Sequence, residues 1–212
     1  QFIQADAASR RGLIQVLCPM PKIAATEKQV EHYLNQWRTL DKYVMQEDCV
    51  SLLFQKLCTN NTNLVEILLK VSTLNDFYST NIYDTHSVAK HILSLGADKK
   101  ITQGDLSLVD QMANVNFNGK VRRVYSFATK YCSHHAPDTY PIYDSYVDEM
   151  LWFFRKRDGF TQFRRPDMKD FPSFVEIIDK FRDFYRLTGY TRRQIDLFLW
   201  LAGKEHFPKY GA

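Results

Sequence analysis

The apolar residues of this chain recur with the period of a helix rather than of a strand. No proline interrupts them between Lys22 and Ala136. Val30, Tyr33, Leu34 and Trp37 stand at i, i+3, i+4 and i+7 behind Thr26–Gln29, a T-x-x-Q capping box. The spacing predicts a second helix on Val50, Leu53, Phe54 and Leu57. A third follows on Leu64, Ile67, Leu68 and Val71, after a turn or cap at 59–63. A fourth runs from Asp84 to Leu95, with Val88, Ile92 and Leu95 inward and Gly96 as its C-cap. Asp105 to Val115 reads as a fifth.

The NFNGK stretch at 116–120 is a turn, and a helix near 121–134 should follow it. Pro137 and Pro141 forbid that helix from continuing. Asp144 is placed to cap a helix over 145–156, after which 157–172 is a loop. Ser173 caps a helix that turns Phe174, Ile177, Ile178, Phe181, Phe184 and Tyr185 inward. Thr191–Gln194 is a second capping box, and Gly203 closes the last helix. No segment alternates convincingly enough to be a strand. The expectation is an all-α single domain of about eight or nine helices over 22–212, behind a loose arm at 1–21.

Composition narrows the function classes. The chain has 212 residues, 45% hydrophobic and 14% aromatic, enough for a substantial core. The net charge of +4 permits a nucleic-acid partner without demanding one. The four cysteines, Cys18, Cys49, Cys58 and Cys132, include no CxxC pair, which points to a cytoplasmic protein without a zinc or redox motif. No run is long and apolar enough for a membrane span, and the N-terminal segment lacks a signal-peptide core. Walker, GxGxxG, GxSxG and HExxH patterns are absent, so no cofactor is implied. His134 and His135 lack metal-ligand spacing and read as partners of a helix C-terminus.

The densest stretch is SFATKYCSHHAPDTYPIYD, residues 126–144. SFATK and PIYD set Lys130 and Asp144 on either side of a Pro-bounded break. In this they resemble the helix-hairpin-helix DNA glycosylase superfamily, most closely its 8-oxoguanine branch. There a hairpin ends in a G-V-G-T-K-like pattern and a later P-V-D opens the next helix; here Ser126 and Ala128 stand at the glycine places. The resemblance implies two helical lobes, roughly 26–95 and 100–212, around a cleft that takes up duplex DNA. It implies Lys130 as the amine nucleophile that forms a Schiff base with the sugar, and Asp144 as the assisting carboxylate. Such an amine must be deprotonated, hence desolvated. The pocket for a flipped base would draw on Asn81, Tyr83, His86 and His134. Lys120, Arg122, Arg123, Ser126, Arg164 and Arg165 would meet the DNA backbone. Arg192 and Arg193, in a first helical turn that disfavours cations, hint at an external partner. Trp200 and Phe198 read as core.

The same residues also fit plainer roles. Lys130 can be a surface lysine near a helix end, Asp144 an ordinary N-cap, and 79–88 a helix start rich in capping residues. The alternative function is a non-catalytic helical module for nucleic acid or protein.

Overall fold

The computed structural model describes residues 22–208 and is mostly helical. Chain order is α1 (Glu27–Trp37), α2 (Asp41–Leu52), α3 (Leu64–Phe77), α4 (Thr85–Ser94), α5 (Ala97–Gln103) and α6 (Ser107–Ala113). A hairpin of β1 (Asn114–Phe117) and β2 (Lys120–Arg123) comes next, then α7 (Tyr125–His135), α8 (Ser145–Asp158), α9 (Phe171–Phe184) and α10 (Arg192–His206). One continuous cluster of buried apolar side chains runs from Ile23 to Ala202. Helix α10 packs on α8, α9 and α1, α3 packs on α4, and α6 packs on α7 and α9.

The caps are mostly where the sequence put them. Thr26 accepts from the Gln29 N–H at 3.3 Å, and Asp84 from the Ser87 N–H at 2.9 Å. Asp144 accepts from the Tyr146 N–H at 2.7 Å, and Thr191 and Gln194 close their box reciprocally. Phe54, Ile92, Phe127, Leu151, Ile177, Phe181 and Leu199 are buried, while Trp37 and Leu68 are half-buried.

Several expectations are corrected. The hairpin is real strand structure: Asn114 faces Arg123 and Phe117 faces Lys120 across an antiparallel pair. Asn118 and Gly119 both take positive φ, 51° and 86°, as the favoured two-residue hairpin turn requires. Helix α7 therefore starts at Tyr125, not near 121. Helix α5 was not expected; it is flanked by Gly96 and Gly104 in the left-handed region. After α2 the chain widens into a π turn at Leu53–Leu57, which rotates Leu57 off the buried face and leaves it exposed. Asp170, rather than Ser173, caps α9, accepting from the Ser173 N–H at 3.1 Å. Pro172 sits in that first turn, where its missing N–H costs nothing, and Phe184 turns outward. Gly203 lies inside α10, against Tyr146. The arm proposed for 1–21 lies outside the described residues.

Candidate active site

Helix α7 is buried on nearly all sides, from Tyr125 through His134. SFATK occupies its first turns, so Ser126 to Lys130 form continuous helix and a β-hairpin, not a helix, precedes them. Lys130 is only 5% exposed and is no surface lysine. Its amine donates to the Ser126 Oγ at 2.5 Å and the Ser126 carbonyl at 3.4 Å, and stands 5.4 Å from the centre of the Tyr78 ring. Burial strips the ammonium of water and pulls Lys130 down to about 8, against the attraction of Asp144.

The segment after α7 is fastened residue by residue. The Ile142 N–H donates to Asp196 Oδ2 at 2.7 Å and the Tyr143 N–H to Thr129 Oγ at 3.1 Å. The Ser126 hydroxyl donates to the Tyr143 carbonyl at 3.1 Å. Extended backbone at Asp144 then leads into α8.

Lys130 and Asp144 line the same cavity, of about 220 Å³. One wall comes from α1, α2 and the end of α3: Trp37, Tyr43, Gln46, Glu47, Phe77, Tyr78 and Ser79. The opposite wall comes from Lys130, the 142–147 segment and α10, with Arg193, Asp196, Leu197 and Trp200. Trp37, Tyr43 and Trp200 meet with ring centres 5.5–6.0 Å apart, and the Lys204 ammonium covers the Trp200 ring at 4.6 Å.

Behind these groups runs a chain of charge. Arg193 bridges Glu47 at 3.0 Å and Asp196 at 2.5 Å. The Tyr78 hydroxyl donates to Glu47 at 3.1 Å and lies 2.9 Å from His134 Nε2, which makes Nε2 the protonated nitrogen. Burial pushes the Glu47 carboxyl up, but Arg193, His134 and Tyr78 together hold it below its ordinary value. Burial raises Asp196 to about 6 despite Arg193. Burial lowers His134 to about 4, so its imidazole is neutral at pH 7.

A second buried lysine shows what a satisfied amine looks like here. Lys70 donates to the Asn60 carbonyl at 2.9 Å and Asn61 Oδ1 at 2.7 Å, and stands 3.3 Å from His135 Nε2. Among the described residues, Lys130 has Ser126 alone as hydrogen-bond partner, and its side chain lines the cavity.

Residues 29–139 match the HI_0787_N family, described as an N-terminal domain. A Haemophilus influenzae protein, described as uncharacterized, is 44% identical over 151 residues, covering 71% of this chain and 72% of that protein. The chain belongs to this family. No solved structure matches it. The family match ends between α7 and α8, so it holds Lys130 and His134, while Asp144, Arg193 and Asp196 lie beyond it.

The other expected site residues fall in different places. His134 stands behind Tyr78 and supports the cavity wall. Asn81, Tyr83 and His86 are exposed and are not part of that wall; Tyr83 is 94% exposed. Arg123 pairs with Asp110 and lies over the Tyr125 ring, Arg164 pairs with Asp167 within its own turn, and Arg165 pairs with Asp148 and Glu149. The Ser126 hydroxyl is engaged inside the protein. Lys120 and Arg122 are exposed on β2 and, among the described residues, no side-chain partner holds them. Arg192 and Arg193, which hinted at an outside partner, pair internally with Asp179 and with Glu47 and Asp196. Phe198 is core, but Trp200 is half-buried and faces the cavity. Sequence reasoning missed Glu47, Tyr78 and Asp196. Asp196 had one usable signal: an acidic residue on the inward stripe with Ile195 and Leu199.

Among the described residues, no helix is long and apolar enough to cross a membrane.

Proposed function

We propose that this chain is a cytoplasmic DNA-binding protein that excises damaged bases, in the manner of the helix-hairpin-helix glycosylase/AP lyases it resembles. The observation that carries the reading is a desolvated lysine and a carboxylate on the wall of one aromatic-lined cavity. An amine held near pH 8 has a substantial neutral fraction at physiological pH. The rings of Trp37, Tyr43 and Trp200 suit a flat heterocycle. The cavity walls come from 37–79 on one side and 130–200 on the other, which suits a cleft between the two implied lobes.

In this reading the Lys130 lone pair attacks C1′ as the glycosidic bond breaks, and the base leaves with the bonding electrons and takes up a proton. Asp144 steadies the positive charge that develops on the sugar. The bound nitrogen then loses a proton, its lone pair opens the C1′–O4′ bond as O4′ leaves with the bonding electrons and takes up a proton, and a protonated imine joins Lys130 to the sugar.

Borohydride reduction of that imine would leave a covalent protein–DNA adduct. Trapping is expected on abasic or damaged-base duplex and should vanish in Lys130→Ala. Asp144→Asn, which can still cap α8, should keep DNA binding and lose base release. The second reading, a non-catalytic helical module, draws on the ion pairs that occupy Arg123, Arg164 and Arg165. A wild-type chain that traps nothing on abasic, oxidised and alkylated duplexes would select it.

A further inference from the structure

We propose that Ser126 is the positioning residue of this site: its hydroxyl fastens the Lys130 amine to the backbone carbonyl next to Asp144. The inference rests on reading Lys130 as the nucleophile.

A serine hydroxyl has one proton to give. The Tyr143 carbonyl can only accept, so at 3.1 Å it takes that proton. The Ser126 oxygen is then left as an acceptor, and the Lys130 amine donates to it at 2.5 Å. This arrangement leaves the amine's own lone pair unused. A hydroxyl free to rotate would donate to a neutral amine and block the electrons that attack needs. The Tyr143 carbonyl removes that option.

The same fastening sets the carboxylate. Thr129, one turn on, accepts from the Tyr143 N–H at 3.1 Å and donates to the Ser126 carbonyl at 3.0 Å. Residue 143 is thus held on both sides of its backbone by α7, and Asp144 is the next residue. Two side chains of one helix turn place nucleophile and carboxylate in a common frame. The charged groups facing the amine are Asp144 from the start of α8 and Arg193 and Asp196 from α10, with Glu47 of α2 and the neutral imidazole of His134 of α7 behind the Tyr78 ring.

The test needs no DNA. Glyoxylate forms an imine with a neutral amine, and cyanoborohydride reduces it to a stable adduct that peptide mass mapping locates at Lys130. The rate against pH reports the neutral fraction. The Ser126 oxygen accepts more strongly from the ammonium than from the amine. Its loss in Ser126→Ala should therefore lower the Lys130 midpoint by about one pH unit, the scale of one hydrogen bond to a charged group. Ser126→Thr keeps the oxygen and should restore the midpoint. An unchanged midpoint in Ser126→Ala, or a folded Ser126→Thr that fails to restore it, overturns the proposal. Should Ser126→Ala not fold, Ser126→Cys, whose sulfur is a poor acceptor, should lower the midpoint in the same direction, and no change there overturns it too. Abasic-duplex trapping by the wild type runs beside these titrations. A shifted midpoint without trapping supports the fastening and overturns only the enzymatic reading.

Discussion

Gly203 of α10 lies directly against Tyr146 of α8: a Cβ at position 203 would stand 2.7 Å from the Tyr146 Cβ and 2.8 Å from its carbonyl oxygen. No side-chain rotation relieves a clash with backbone, so the two helices would have to separate. Gly203→Ala should lose about 1–3 kcal/mol in urea unfolding despite the better helix propensity of alanine. Gly189→Ala is the control, since nothing lies within 4 Å of a Cβ there.

Lys130 should cost the protein stability. Burial, the largest influence, brings its amine to about 8 from 10.5, so below pH 8 the folded chain carries an ammonium it disfavours. The unfolded chain binds the proton more tightly, and stability from this group rises only between about pH 8 and 10.5. Lys130→Met, which fills similar space without charge, should gain about 1–3 kcal/mol at pH 7 and show a flatter profile through that window. Denaturant titrations at pH 7 and pH 10 would measure both.

The acid limb of stability should follow the two histidines. Burial lowers His134 to about 4 and His135 to about 3, from an ordinary 6.5. Their contribution is full above pH 6.5 and is lost as the pH falls toward those values, because the unfolded chain protonates first. Asp196 opposes them: burial raises it to about 6 from 3.8, so it favours the folded chain at low pH and withdraws that support as the pH rises toward 6. The net loss from pH 6.5 to 4.5 should be on the order of 2 kcal/mol. His134→Gln keeps an N–H for Tyr78 and should make the limb shallower in unfolding measured across that range.

If duplex DNA is the partner, Lys120 and Arg122 should carry the salt dependence. Each is exposed on β2 and, among the described residues, has no side-chain partner to release. Replacing either by alanine should reduce the log–log salt slope by about one and weaken binding evenly across sequences. Arg165→Ala should instead lower stability, since it leaves Asp148, buried beside it, without its cation. Fluorescence titrations at several salt concentrations separate the two behaviours.

The helical character was legible because Val30, Leu34, Val88, Ile92, Ile177 and Phe181 repeat at the helix period and side chains at Thr26, Asp84, Asp144 and Thr191 mark starts. The hairpin was not, because β2 is exposed along its whole length and has no buried face to alternate. Helix α5 spans less than two turns of an apolar stripe and shows itself only through its two glycines. The Lys130–Asp144 juxtaposition came from a motif, and it is present as one cavity wall. The supporting charges were hidden for a different reason. Glu47 and Arg193 are far apart in sequence: Glu47 looks like an ordinary surface residue, and Arg193 points to an outside partner, until the fold brings α2 against α10.

That distance has a consequence during synthesis. The cavity around Lys130 needs Trp37 and Glu47 from early in the chain and Arg193, Asp196 and Trp200 from late in it. While a ribosome is still adding the residues after 130, the lysine is hydrated and keeps its proton. The desolvation that lowers its pKa is complete only once α10 has emerged and docked. An unfinished chain therefore carries a hydrated ammonium, and the buried form of Lys130 appears last, in molecules that have already folded around it.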